Sequence, residues 1–460
     1  MRPAPHLVVG TTALLALAFL VRIADFPNVF VGDGDVVFTI GDPYYHLRLA
    51  LVPLHDFPRL LRFDPYINFP DGSHVPIPPI WPLLLGGAGR LLGGDRAALE
   101  NAAAWLPPLL GALTLLPVAA TGRRIGGTAP GLGAAALLAL LPVHILYTAI
   151  GNADHHAAEG LLGALLLWLY ARALATEEGE ATSLRLHVAL TATRIAMVLT
   201  WSGSLLHLGI GEASLLLAAA SRRSQGRMRL AGLGCLATAA ALLPFALGEV
   251  AHAGPAFSTV ELSLLHPLYF LVLSGIALAT SALEAARPTA SALGPLVRMA
   301  LLAAVLGGSL LAVPALRDAV AGSEAMLTKG NVWHARAAEQ QALFDGSPFS
   351  AERGIETYGL LCFLIPLAPL AALRRARDPR IRPVALFLAT WSALLGLLAI
   401  SQVRFGVDYA PAGAIVLALL IADVAQGAAR ALAAGGRTGR ALAVALGTLL
   451  VWPGVAAGPL

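Results

Sequence analysis

The sequence predicts an all-α, polytopic membrane protein with about thirteen transmembrane helices and two long outer loops. Three observations carry that prediction. Only 13% of the 460 residues are charged, about half the share of a soluble domain. The chain is 57% hydrophobic, with a mean hydropathy of +0.74. Its apolar runs have the length of roughly 20 residues that a helix needs to cross a bilayer, and they fill most of the chain. The net charge of +4 lies in short Arg clusters between those runs. Such clusters read as topology signals, and no nucleic-acid partner is expected. Both cysteines, Cys235 and Cys362, fall inside apolar runs, so no disulfide framework or cysteine metal site is expected.

The first apolar run gives a helix at about 7–24. It follows Arg2 and lacks a clear small-x-small cleavage site, so it reads as an uncleaved anchor, with a signal peptide as the alternative. A polar, aromatic loop over 25–80 comes next, ending in a proline-rich run from Pro76 to Pro82. Proline at that density breaks helices, so residues 81–94 are at most a short or re-entrant apolar segment. Further spans are expected near 102–120, 129–150, 155–174, 184–201, 203–220, 228–248, 262–284 and 293–315. A second long outer loop covers 316–355. Spans near 356–373, 383–400, 403–426 and 439–456 complete one transmembrane domain over 1–460, with no C-terminal soluble domain.

Charge placement tests this topology independently. With the N-terminus inside, the inner connections carry Arg123-Arg124, Arg172 with Arg185, Arg222 to Arg229, and Arg287. They continue with Arg374 to Arg382 and with Arg430, Arg437 and Arg440. That is the positive-inside pattern of a protein integral to the cell (inner) membrane. Loops 25–80 and 316–355 and the turn Gly151-Asn-Ala-Asp-His-His156 then face the periplasmic or extracellular side.

Several polar residues at the outer ends of spans need an explanation, since ionisable groups there are costly. Gly32 to Arg48 places Asp33, Asp35, Asp42, His46 and Arg48 beside an apolar segment. Asp42 precedes Pro43 and on its own reads equally as a turn-starting acid. Asp154 also suits a helix N-cap, but that role leaves His155 and His156 unexplained. An Asp and a His two residues apart at a helix start can converge on one divalent cation. The second long loop offers Glu339, Glu352 and Glu356, and composition does not choose among them. Arg404 is an outward arginine in a chain whose other Arg clusters lie inside. It either snorkels to headgroups or binds an anion such as phosphate.

Taken in order, these stretches resemble the catalytic subunit of oligosaccharyltransferases, polytopic glycosyltransferases of the GT-C class. The resemblance rests on Gly41-Asp-Pro-Tyr-Tyr-His-Leu-Arg48, Phe63-Asp-Pro-Tyr-Ile-Asn-Phe-Pro-Asp-Gly72, Asp154-His-His156, Trp201-Ser-Gly203 and the span topology. It implies a membrane enzyme that moves a glycan from a polyprenyl-(pyro)phosphate donor to an acceptor asparagine outside the membrane. Asp42 matches the family's first acidic motif, at the metal and the acceptor amide. Asp154 and His156 match the second motif and complete a shell for Mg²⁺ or Mn²⁺. Glu339 falls at the family's Thr-Ile-x-Glu position, although Arg336 and Ala337 depart from that pattern. Arg404 matches the arginine that holds the pyrophosphate.

The expectation is that the chain lacks the family's extramembrane C-terminal domain with its Trp-Trp-Asp-Tyr-Gly motif. A separate subunit then supplies acceptor recognition, the acceptor is not an Asn-x-Ser/Thr sequon, or the chain is degenerate. The alternative within the same enzyme class is a lipid or cell-wall acceptor. A transporter fits less well, because its charged residues would sit at mid-span rather than at the outer ends of helices.

Overall fold

The computed structural model describes residues 5–32, 34–39, 41–291, 293–327, 337–344, 350–433 and 441. The expected span near 439–456 therefore lies outside the described residues, apart from residue 441. Among the described residues nearly every regular element is helical. Strands are limited to two antiparallel hairpins, Phe30–Val31 with Asp35–Val36 and Phe63–Asp64 with Ser73–His74. Among the described residues eight helices are long and apolar enough to cross a membrane, and Val8–Arg22, Ile80–Leu92 and Thr128–Leu140 are shorter apolar helices. The described residues form two compact units, one within 1–47, 96–168 and 335–460 and the other within 48–95 and 169–334.

The first unit holds the candidate site. The Leu115–Gly126 and Thr128–Leu140 helices turn on Gly127, whose φ of 87° favours glycine. A Cβ on Gly131 would lie 2.7 Å from the Ala119 carbonyl, so the two backbones nearly touch. Small residues at such contacts let membrane helices approach closely, where dispersion replaces the hydrophobic effect as the driving force. The Gly406–Ala433 helix packs on both of them. It buries Val407, Tyr409, Ala410, Ile415, Leu417 and Leu419 all round its circumference, as a central helix must.

Three parts of this unit differ from the sequence expectation. The span expected over 129–150 stops at Leu140, followed by a short Pro142–Leu146 helix and an irregular segment to His155. Pro142 lacks the N–H that would continue the ladder and pushes Leu141 out of the helical region, to ψ 117°. The expected loop 25–80 contains a 14-residue helix, Asp42–His55, that accepts Pro43 in its first turn, where the N–H is unpaired anyway. The span near 356–373 is broken into Ser350–Tyr358, a 3₁₀ stretch Gly359–Leu364 and Ala368–Arg375.

In the second unit the Gln225–Ala251 and Leu265–Ala286 helices pack along their lengths. Their core joins Leu216, Met228, Ala231, Ile276 and Met299. The Gly294–Leu311 helix buries only Pro295 and Met299 and leaves Leu301 and Val305 exposed, which suits a lipid-facing element. Inside this unit Arg194 and Glu212 form a fully buried ion pair at 2.6 Å, and Tyr170 Oη donates to Glu212 Oε1 at 2.5 Å. The polar loop of this unit carries a further pair. Arg48 Nε and Nη2 hold both carboxylate oxygens of buried Asp64 at 2.7 and 2.9 Å.

Candidate functional site

The site is built on the irregular segment that Pro142 creates. Arg22, at the end of the first helix, is buried and ties this region together. Its guanidinium donates to Thr148 Oγ1 at 2.7 Å and to the Ala18 and Ala139 carbonyls at 2.8 and 3.2 Å, and it contacts His144 Nδ1 at 2.5 Å. The Ile150 N–H then donates to the Arg22 carbonyl at 2.9 Å, and Asn152 Nδ2 to the Leu146 carbonyl at 2.8 Å. Gly151, at φ 79°, turns the chain where a Cβ would meet Val29 at 2.8 Å. The result is a fixed corner that presents Asp154, His155 and His156.

Asp154 is 4% exposed and stands at the centre of a cluster of donors. His46 Nε2 lies 2.9 Å from its Oδ1, and the His155 backbone N–H donates to the same oxygen at 2.6 Å. His156 Nε2 lies 3.6 Å from Oδ2. Burial alone would push the Asp154 carboxyl up. The His156 and His155 rings beside it, with hydrogen bonds from His155 and His46, instead hold it well below the usual carboxylate range. His156 Nδ1 is 2.8 Å from Glu159 Oε2, one turn into the His156–Ala173 helix. Asp408, also buried, lies close enough to Glu159 to act on its carboxyl.

The ring of Tyr147 packs edge-on against His156 at 4.8 Å between centroids. Its hydroxyl lies within electrostatic range of Glu339, Arg404, Asp154 and Asp408. Arg404 Nη1 lies 3.7 Å from Glu339 Oε1. Two backbone bonds hold them near each other: the Leu343 N–H donates to the Ile400 carbonyl at 2.8 Å, and the Val403 N–H to the Gln341 carbonyl at 2.9 Å. Glu339 is thus the glutamate beside Arg404, whereas Glu352 and Glu356 are exposed residues of the Ser350–Tyr358 helix. Arg336, the other motif position, and Asp33 lie outside the described residues.

The structure brings Asp154, His156, Glu339 and Arg404 into one region and adds His46, His155, Glu159, Asp408 and Tyr147. Asp42 stands apart from the histidine cluster. It opens the Asp42–His55 helix, is exposed, and lies one helical turn before His46, on the same face. Two groups of ligand atoms each lie within 4.8 Å: His46, Asp154 and His155, and His155, His156 and Glu159. This mixed imidazole and carboxylate set fits a divalent cation of borderline character. Sequence spacing held the missed signals: His46 follows Asp42 by one turn, Glu159 follows His156 by three residues, and Asp408 follows Arg404 by four.

The family model described as oligosaccharyl transferase STT3, N-terminal, matches residues 11–425. The chain belongs to that family. Among curated relatives, the dolichyl-monophosphooligosaccharide–protein glycotransferase AglB of Haloferax volcanii is 30% identical over 296 residues, covering 59% of this chain and 27% of that protein. Among solved structures, the archaeal oligosaccharyltransferase AglB of Archaeoglobus fulgidus, in complex with an inhibitory peptide and a dolichol-phosphate, superimposes with a TM-score of 0.82 at 21% identity. It covers 98% of this chain and 55% of its own. An Archaeoglobus fulgidus oligosaccharyltransferase in complex with Zn and sulfate gives a TM-score of 0.73 at 20% identity, over 96% of this chain and 52% of that one. The matches thus span about a quarter of the curated relative and about half of the solved chains. The all-α polytopic, GT-C-like fold expected from the sequence is borne out, and the family of the resemblance is the family found.

Proposed function

We propose that this chain is the membrane part of an oligosaccharyltransferase that transfers a glycan from a polyprenyl-(pyro)phosphate donor to a protein asparagine on the outer side of the cell (inner) membrane. The observation that carries the reading is the cluster of Asp154, His155, His156 and Glu159 together with the Arg404–Glu339 pair at 3.7 Å, in a family whose relatives bear that activity in their names. Relatives solved with a dolichol-phosphate, with an inhibitory peptide, and with Zn and sulfate support the same donor, acceptor and metal classes.

The acceptor is a carboxamide, whose nitrogen lone pair is delocalised into its carbonyl and is therefore a weak nucleophile. Asp42 and Glu339 each accept one of its N–H bonds and loosen that conjugation. The nitrogen attacks the anomeric carbon, the carbon–oxygen bond to the pyrophosphate breaks, and the displaced amide proton passes to a carboxylate or to water. Arg404 pairs with the departing pyrophosphate through charge-assisted hydrogen bonds. Asp154, His156 and their neighbours His46, His155 and Glu159 would hold Mg²⁺ or Mn²⁺, of which Mn²⁺ is the better match to imidazole. Such an ion supplies fixed positive charge beside the carboxylates and the phosphate.

The test is to incubate purified protein with lipid-linked glycans from its native membrane, with and without an Asn-x-Thr peptide. Glycopeptide and released carrier are expected only with peptide. Carrier release that ignores the peptide but responds to added lipid would overturn the protein acceptor in favour of a lipid one.

A further inference from the structure

A second polar site lies in the first unit, far from the one just described. The Gly406–Ala433 helix begins beside Arg404 and Asp408 and ends near Arg430, roughly 33 Å from Asp408 at 1.5 Å per residue. At this distal end Asp423, Gln426, Gly427 and Arg430 line one face of the helix. Together with Arg374 and Arg375 they line an open cavity of about 340 Å³. The geometry points to a phosphate-binding pocket, and we propose that its occupant is the headgroup of an anionic membrane lipid.

The charge balance in the cavity is uneven. Asp423 is its one carboxylate and is committed to Arg375, which donates to both of its oxygens at 2.5 and 2.7 Å. That pairing, with a bond from Arg375 to the Ala371 carbonyl at 3.0 Å, fixes the inner wall. Arg374 is left with only a 3.7 Å approach to Asp423. Among the described residues Arg430 and Gln426 make no side-chain hydrogen bond or ion pair. Two guanidinium groups and one amide therefore face the cavity with donors to spare. Gly427 keeps the floor open, since nothing lies within 4 Å of a Cβ built there. A planar guanidinium matches the oxygens of a phosphate in a two-pronged fashion.

The surface leading to the cavity selects a lipid over a free anion. Leu370, about half exposed, lies one turn before Arg374 on the Ala368–Arg375 helix, and the half-exposed Leu367 and Phe363 lie in the turn and the 3₁₀ stretch before it, so an apolar strip of exposed residues leads up to the basic pocket. Acyl chains lie along that strip while the phosphate reaches Arg374 and Arg430. Arg377, Arg380 and Arg382, all exposed, follow Arg374 within eight residues and raise the local concentration of anionic headgroups. By the Arg pattern this end faces the cytoplasmic leaflet.

The test uses the full chain, delipidated in detergent and titrated with phosphatidylglycerol, phosphatidylcholine or glycerol 3-phosphate, with retained ligand read by native mass spectrometry. Phosphatidylglycerol is expected to be retained selectively. The variant Arg374→Gln/Arg430→Gln is expected to weaken it roughly 30-fold, at about 1 kcal/mol per arginine near an anionic surface. Gln426→Glu, at an exposed position, is expected to weaken it as well and serves if the double variant does not fold. Arg229→Gln, in the other unit, should leave retention unchanged. Equal retention of both lipids, or retention unaffected by either cavity variant, overturns the proposal. Displacement by glycerol 3-phosphate alone overturns the lipid as the ligand.

Discussion

Replacing Arg404 gives the cleanest probe of the proposed chemistry. Its side chain is 14% exposed, and its nearest described acid, Glu339, is 3.7 Å away and 43% exposed. Arg404→Ala therefore strands no fully buried carboxylate at Glu339, and folding should survive. The catalytic cost should be large. An arginine aimed at a departing pyrophosphate stabilises charge that develops in the transition state, and losing such a donor costs about 2.7–4 kcal/mol, or 10²–10³ in rate. Arg404→Lys keeps the charge but loses the fork, so it forfeits about one charge-assisted hydrogen bond. That is about 1.5 kcal/mol, or roughly tenfold. The assay is glycopeptide formation at saturating donor, with a thermal midpoint recorded for each variant. An Ala variant within about threefold of the parent would refute the assignment, as would a Lys variant as slow as Ala with its midpoint unchanged, because charge would then have no part in the defect.

Asp154→Asn should lower Mn²⁺ affinity at least tenfold, on the order of what perturbing a metal shell costs. It turns an acceptor for His46 and His155 into a mixed group, and unchanged Mn²⁺ titration would exclude Asp154 from a metal site. Asp42→Asn, at an exposed position, should slow transfer by about 10²–10⁴ without moving the thermal midpoint, and full activity would remove it from the mechanism. Gly151→Ala should destabilise the protein by about 2 kcal/mol through its left-handed backbone, with the 2.8 Å approach to Val29 adding to the loss. A thermal midpoint matching the parent would show that the corner can relax. In the polar loop, the Arg48 hydrogen bonds hold the Asp64 carboxyl below its usual range. That stability is present above the unfolded value of about 3.9 and is lost as pH falls through the lower folded value. Arg48→Gln should be less stable near neutral pH, with the gap to the parent closing in acid; a constant gap would contradict the pairing.

Much of the site was legible as residue types and order. Asp42, Asp154, His156, Glu339 and Arg404 stand out because a membrane protein places few charges, and each sits beside an apolar run where ionisation is costly. Their partners were harder to see. His46 lies 108 residues from Asp154 and Asp408 far beyond Glu159, and no local period links them. Glu339 could not be told from Glu352 and Glu356 until the Leu343 and Val403 backbone bonds tied its segment to the corner before Arg404.

The sequence by itself determined the class of protein, the family and most of the helices, because hydropathy over roughly 20 residues is a local quantity that the bilayer reads directly. The break at Pro142 was also written locally, as a missing N–H, although the apolar run around it hid the consequence. Only the tertiary structure decided which side chains meet. It turned the segment after Leu146 into a corner held by Arg22, and it gathered three histidines beside Asp154, with Glu159 behind His156. It also left Asp42 one helical turn outside that cluster. Those contacts depend on how helices distant in the chain pack, which is set by close backbone approaches such as Gly131 on Ala119 rather than by any pattern within one segment.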